Sequence, residues 1–338
     1  MPVFTAAGAR VFLNAWGTVV FEDKLQINGE GQMWVFFRIV WQAAAHLEPE
    51  NRIQEIQMRL ILKKSSMFVL TLCAGFFLAP GRAYAQAADA TLPDSPSQLS
   101  ASSRPGDAAS EREVSWRSLP KDFLHDQKDI WLFPFQLAKG RHLLPAFAVV
   151  GGTAGLIVAD PHVMPYFRTH ATNLDHLNDV FDTQISTAEV VAIPATLLFA
   201  GYMRHDQYQV GTALLAGEAY ADSAIVDLAV KAITRRQRPT DVPPGGNFKG
   251  TFFAGGKSPF KGSAFPSGHA AGAFSVATVI SGRYRTHRWV PIVMYGFATA
   301  ISLSRVTSNA HFPSDVFLGA ALGYTITKYE VLRPRKDN

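Results

Sequence analysis

Ser304-Arg305-Val306-Thr307-Ser308-Asn309-Ala310-His311-Phe312-Pro313-Ser314-Asp315 sets an arginine six residues before a histidine, and an aspartate four residues after it. An apolar run from Trp289 to Leu303 leads in, and a second from Val316 to Thr327 leads out. Charge held between two apolar elements is costly unless something pairs with it or uses it. A histidine beside a carboxylate can be held in one tautomer and made a nucleophile or base, and a guanidinium offers a planar fork to an oxyanion such as phosphate. A plainer reading stands beside this one. Arg305 would favour the negative end of its helix, Ser314 would cap the next helix, and Asp315 would sit in that helix's first turn.

Two upstream clusters bear on the choice. In Lys231-Ala232-Ile233-Thr234-Arg235-Arg236-Gln237-Arg238-Pro239, residues seven apart return to one helix face, about 10 Å along the axis. Lys231 and Arg238 therefore point to one side, and Pro239 ends the helix near Arg238. Asp227, four residues before Lys231, is placed to orient that lysine. Arg235 and Arg236 have a plain role available, complementing the helix dipole. In Phe265-Pro266-Ser267-Gly268-His269, Ser267 is a candidate N-cap and Gly268 allows close backbone approach. A helix N-terminus binds anions, and His269 in that first turn can donate a proton to whatever is bound there.

The chain has 338 residues, 48% hydrophobic and 17% charged, with a formal charge of +5. Few charges beside many apolar residues suit a membrane surface or an anionic substrate, and the small, scattered excess argues against nucleic-acid binding. The single cysteine, Cys73, excludes an intrachain disulfide and a cysteine-rich metal site. It lies in a segment with the order of an export signal. Met58 to Lys64 is basic, Ser65 to Ala79 is apolar, and Ala83-Tyr84-Ala85 forms a small-x-small site before Gln86. The expected division is an upstream extension over residues 1–57, a signal peptide over 58–85, a disordered linker over 86–120 and a helical domain over 121–338. Within that domain an interfacial segment from Lys121 ends near Pro134. Six apolar helices follow at Leu143–Ala159, Val190–Met203, Val210 to about Arg236, Gly268–Ile280, Trp289–Ser304 and Asp315–Val331. Alternating strand patterns are scarce, so the expected fold class is all-α. The charge-free runs sit at the lower limit for crossing a bilayer, and flanking aromatics and basic residues favour an integral membrane bundle over a soluble one.

The three clusters in order, Lys-x6-Arg-Pro, Pro-Ser-Gly-His and Ser-Arg-x5-His-x3-Asp, lie 26 and 34 residues apart. This resembles the tripartite signature of the type-2 phosphatidic acid phosphatase superfamily, which also holds bacterial acid phosphatases and vanadium haloperoxidases. The resemblance covers about residues 142–331 and implies a six-helix bundle with the clusters meeting at one face. It implies that His311 attacks phosphorus to form a phosphohistidine, Asp315 fixes its tautomer, and His269 protonates the leaving oxygen. Lys231, Arg238 and Arg305, with the Ser267 hydroxyl and the Gly268 N–H, would hold the phosphate oxygens. No metal is implied, and vanadate is expected to inhibit as a phosphate mimic. The implied substrate is a phospholipid or isoprenyl phosphate. The implied place is the inner membrane with the site facing the periplasm, or alternatively a soluble periplasmic phosphatase. A haloperoxidase is the more distant reading. The loop Thr240–Ala264, rich in Gly and Pro and carrying Phe252, Phe253 and Phe260, is a candidate lid.

Overall fold

A computed structural model of the chain describes residue 112 and residues 114–140, 142–170, 175–181, 183–255 and 263–334, together with a short ribbon in the first 22 residues. That ribbon is three antiparallel strands, β1 (Thr5–Ala6), β2 (Ala9–Leu13) and β3 (Val19–Glu22), with Val11 opposite Phe21. It belongs to a compact unit of its own, Met1–Gln57. The all-α expectation holds for the second unit, and the ribbon lies within the residues expected to form an upstream extension. The signal-peptide segment 58–85 lies outside the described residues.

The second unit has eight described α-helices: α1 (Leu119–Ala138), α2 (Leu143–His170), α3 (Asp175–Val180), α4 (Thr183–Met203), α5 (Gln207–Thr234), α6 (Gly268–Arg283), α7 (Trp289–Thr307) and α8 (Pro313–Ile326). A π-helical turn, Thr327–Val331, follows α8. Helix α6 is the centre, packed against α4, α5, α7 and α8. Its composition permits this. A Cβ on Gly319 or Gly323 of α8 would run into the Ser267 or Ala271 carbonyl oxygen of α6, and one on Gly272 would run into the Tyr220 ring of α5. Glycine at those positions lets the backbones approach. Around that seam, Leu215, Val276, Val279, Ile280, Val290, Met294 and Ile301 fill the core.

Helix ends follow local chemistry. Asp206 caps α5 by accepting from the Tyr208 and Gln209 N–H groups at 2.9 and 3.2 Å, and Ser267 caps α6. Helix α8 starts differently from the plain expectation. Phe312 is the cap residue, Pro313 takes the first helical position, and Asp315 accepts from the Phe312 N–H at 2.7 Å. Ser314 is thus inside the helix, not its cap. Helix α1 continues through Pro134, and α2 runs eleven residues beyond Ala159, through Pro161 and Pro165. Asp160 is wholly buried, and its carboxylate is met by Arg236 at 2.7 Å. A paired buried acid need not end an apolar helix.

The linker expectation fails at its carboxy-terminal end. Arg112 is buried, donating to Asp126 at 3.1 Å, to Glu218 at 2.7 Å and to the Val331 carbonyl at 2.7 Å. A guanidinium with carboxylate and carbonyl partners folds with the domain rather than tethering it. Trp116 donates to the Tyr202 hydroxyl at 2.6 Å, at the end of α4 opposite Thr187. The start of the helical domain therefore lies at one end of the bundle and, as shown below, the three clusters lie at the other.

Among the described residues, three helices are long and apolar enough to cross a membrane: α2, residues Ser186–Met203 of α4, and α7. Helix α2 is the least covered by protein, with Leu144, Phe147, Val150 and Val158 exposed.

Candidate active site

Lys231 is held on the last turns of α5 by Asp227, whose Oδ2 accepts from Nζ at 2.6 Å, the i, i+4 pair expected from the sequence. The helix stops three residues later. Arg235 takes a left-handed conformation (φ 39°), which turns the chain, and Arg238 follows in an extended one. Lys231 and Arg238 reach the same cavity although they do not share a helix.

That cavity has a volume of about 250 Å³. Lys231, Arg238, Gly268, His269 and His311 line it, joined by Ser186, Thr187 and Val190 of α4 and Tyr220, Ala224, Asp227 and Leu228 of α5. The two histidine rings are 6.5 Å apart, centroid to centroid, and nearly edge to face. Both rings line the cavity. Asp227 and Lys231 lie against Gly268, where any Cβ would crowd both; glycine there lets the ammonium reach the N-terminus of α6.

The other expected site residues stand behind this wall. Ser267 is fully buried and its hydroxyl caps α6, and its N–H donates to the Asp315 carbonyl at 2.9 Å. Arg305 is 1% exposed, with Nε and one terminal nitrogen 3.2 and 3.1 Å from the Ser304 hydroxyl. Its backbone carbonyl accepts from the His311 N–H at 3.0 Å, which ties the third cluster into one turn. Asp315 is fully buried.

His311 is 3% exposed. Its Nδ1 is 2.7 Å from the Ala264 carbonyl, a hydrogen bond that requires the proton on Nδ1. The Asp315 carboxylate is 3.6 Å from the same nitrogen, close enough for charge but too far for a hydrogen bond. The tautomer is therefore set by a backbone carbonyl, and Asp315 acts at slightly longer range. Burial, then the nearby Lys231 and Arg238, holds the His311 imidazole well below its usual pKa, so it is neutral with a lone pair on Nε2. His269 Nε2 lies 3.1 Å from the Thr187 hydroxyl across the cavity.

Several partners carried no motif. Thr187 had no distinguishing sequence context, and a backbone carbonyl such as Ala264 leaves no trace in residue type. Arg236, assigned above to the helix dipole, instead turns inward to Asp160, Ser314 and Asp315. The signal for Asp160 was present, as a lone acid in an otherwise uncharged apolar run. In the candidate lid, Phe252 packs edge-on against Phe265 at 5.3 Å and over the Arg236 guanidinium at 4.5 Å, while Phe253 is exposed; Phe260 lies outside the described residues. Among the described residues, one group could hold a cation: Asp126, Glu218 and Asp222, with ligand atoms within 4.8 Å of one another. Arg112 is already paired with two of them. Glu218 is thirteen residues, about 20 Å, from Lys231 along α5.

Comparison with known proteins adds three findings. A Lipid A 1-phosphatase of Porphyromonas gingivalis is 37% identical over 65 residues, which is 19% of this chain and 15% of that protein. The match thus spans less than a sixth of that relative. The crystal structure of the first transmembrane PAP2 type phosphatidylglycerolphosphate phosphatase from Bacillus subtilis aligns with 60% of this chain and 92% of its own, at 18% identity and a TM-score of 0.36. The model of the PAP2 superfamily matches residues 212–337. Those residues contain all three clusters, and match and geometry together support the PAP2 superfamily for this part of the chain.

Proposed function

We propose that the protein is a phosphatase that hydrolyses lipid phosphate or diphosphate monoesters through a phosphohistidine at the cell envelope. The observation that carries this reading is one cavity bounded by Lys231, Arg238 and two histidines 6.5 Å apart. In the first step Nε2 of His311 forms a bond to phosphorus as the bond to the leaving oxygen breaks, and His269 gives that oxygen its proton. In the second, water attacks phosphorus, its proton passes to His269, and the bond to Nε2 breaks. Lys231 and Arg238 hold the equatorial oxygens where charge accumulates, and Arg305 supports them from behind. The N-terminus of α6 at Gly268 adds its N–H and dipole. Asp315 favours the cationic imidazole of the intermediate.

A lipid substrate is supported by the apolar side of the cavity, Val190, Ala224 and Leu228, and by the three apolar helices. The likeness to a Lipid A 1-phosphatase points to the same class. Basic residues crowd the end of the bundle away from the site: Lys139, Arg204, Arg283, Arg285, Arg288, Lys328 and Arg333. At the site end the connection from α2 to α4 has aspartates and no Lys or Arg, whereas the sequence from α5 to α6 carries Lys249, Lys257 and Lys261 besides its arginines, fewer than the opposite end in total. By the positive-inside rule this favours a site facing outward. Arg112 then lies on the inner side. If the helices span, a signal at 58–85 that exported residue 86 onward would instead turn the site inward, so these two expectations exclude each other.

The test is release of inorganic phosphate from a panel of lipid phosphates in mixed micelles, with vanadate as competitor. No turnover of any lipid or soluble monoester would reject the enzyme reading. Turnover of soluble esters alone, with release of the protein by carbonate washing, would select the soluble acid phosphatase.

A further inference from the structure

Arg236 lies between the two cations that line the cavity, yet it does not line it and is 1% exposed. One terminal nitrogen donates to Asp315 Oδ1 and to the Ser314 hydroxyl, each at 2.6 Å; the other donates to Asp160 Oδ2 at 2.7 Å, and Nε to the Thr251 hydroxyl at 3.0 Å. The guanidinium also lies 3.9 Å from the centre of the Phe312 ring. A residue that only offset a helix dipole would sit in water. This one is buried with every nitrogen engaged, one residue's width from the nucleophile.

We infer that Arg236 is the positioning residue of His311, holding it by two independent routes. By its side chain it takes Asp315 Oδ1, while the Phe312 N–H takes Oδ2 at 2.7 Å, and this leaves the carboxylate 3.6 Å from His311 Nδ1. By its backbone, the Arg236 carbonyl accepts from the Ala264 N–H at 2.8 Å, and the Ala264 carbonyl accepts from His311 Nδ1 at 2.7 Å. The second route fixes which nitrogen is free to attack. The first sets how much of Asp315's charge the imidazole feels, because Arg236 is shared between Asp315 and Asp160. A carbonyl cannot take the Nδ1 proton, and the Asp315 carboxylate, held by Arg236 and the Phe312 N–H, stays beyond hydrogen-bond distance of it. The ring therefore keeps that proton when Nε2 bonds to phosphorus, and the phosphorylated imidazole stays cationic and easily displaced by water. This rests on the phosphohistidine reading above. The charged groups facing His311 are Lys231 and Asp227 from α5, Arg238, Arg305 from α7, His269 from α6 and Asp315 from α8.

The experiment compares Arg236→Lys, Asp160→Asn and His311→Ala in the full chain. It measures kcat and KM against pH on a soluble aryl phosphate, with acid-quench trapping of phosphoenzyme. Arg236→Lys keeps the backbone route and loses the fork. Its kcat is expected to fall about ten- to a hundredfold with KM changed less, as for loss of other groups that orient a functional histidine. Its acid limb moves to higher pH, because an unshared Asp315 favours the protonated imidazole. Asp160→Asn removes the competing carboxylate, so its acid limb moves the other way or stays. Limbs that do not separate, or a Lys variant with ordinary kcat once folded, would make Arg236 a strut only and overturn the inference. If Arg236→Lys does not fold, the nearly isosteric Asp160→Asn decides alone: an acid limb moved upward overturns it. An active His311→Ala would instead remove the underlying phosphohistidine reading.

Discussion

Helix α5 carries buried charge at two levels, and the two are built in opposite ways. Near its middle, Glu218 joins Asp122 and Asp126 of α1 around the single guanidinium of Arg112, and Asp222 accepts from Gln127 beside them. Toward its end, Asp227 and Lys231 face a cavity with Arg238, whose Nε has no hydrogen-bond partner. The first cluster is the closed one in that its cation comes from the chain, although Arg112 Nε and Glu218 Oε2 there likewise have no hydrogen-bond partner. The second leaves cationic donors at an open wall, where an anion from outside completes the set. Both are costly to bury. Among the described residues the second also opens onto a cavity of about 250 Å³, and that access, more than burial, marks it as the candidate functional cluster.

The largest effect that sharpens this contrast is expected at the open end. His311→Ala and His269→Ala should each lower kcat by several orders of magnitude on a phosphate ester with a poor leaving group. Near-ordinary turnover in either would dissolve the distinction. At the closed end, Arg112→Met leaves carboxylates without their cation. We expect a loss of about 3–5 kcal/mol of stability by denaturant titration, with KM of the folded protein unchanged; a raised KM would mean that the two ends communicate. Gly323→Ala, in the seam between α6 and α8, should cost about 1–3 kcal/mol through overpacking, read as a lower midpoint in the same titration.

The smallest effect is a pH dependence. The folded pKa of His311 lies below its unfolded value of about 6.5, so the unfolded chain takes up a proton first as pH falls. This part of the stability is present above about pH 6.5 and is lost as pH drops toward the folded pKa, with a slope of at most about 1.4 kcal/mol per unit. His311→Ala should flatten that limb of a stability profile; an unchanged slope would mean that another group carries it. Orientation is checked separately. Single cysteines replacing Lys249 and Lys328, in a Cys73→Ser background, should label oppositely with an impermeant maleimide on intact cells, Lys249→Cys reacting if the site faces outward.

The open end was largely legible in the sequence, because phosphate chemistry needs particular residue types at fixed spacings, and His311, His269, Lys231 and Arg238 were found that way. Its supports were not. Asp160 lies 76 residues before Arg236, and nothing local joins an acid in one helix to an arginine past the end of another. The Ala264 carbonyl has no residue signature at all. The closed end was half legible. Glu218 and Asp222 stood out as acids on an apolar helix, but their cation lay in a polar segment whose composition resembles a tether. Helix lengths also erred at prolines: Pro134, Pro161 and Pro165 lie inside continuous helices, where local propensity alone places a break.

The glycine seam of α6 has a consequence for anyone who wishes to change what this cavity accepts. Gly268 and Gly272 belong to a wall pressed against α5, where an added methyl group would meet Asp227 and Lys231 or the Tyr220 ring. A library directed there would mostly sample broken proteins. The opposite wall, where Ser186, Thr187 and Val190 line the cavity from α4, holds none of the reacting groups, although Thr187 lies 3.1 Å from His269 Nε2. It is the face on which substrate range can drift, in the laboratory or over evolutionary time, while the reacting groups stay in place.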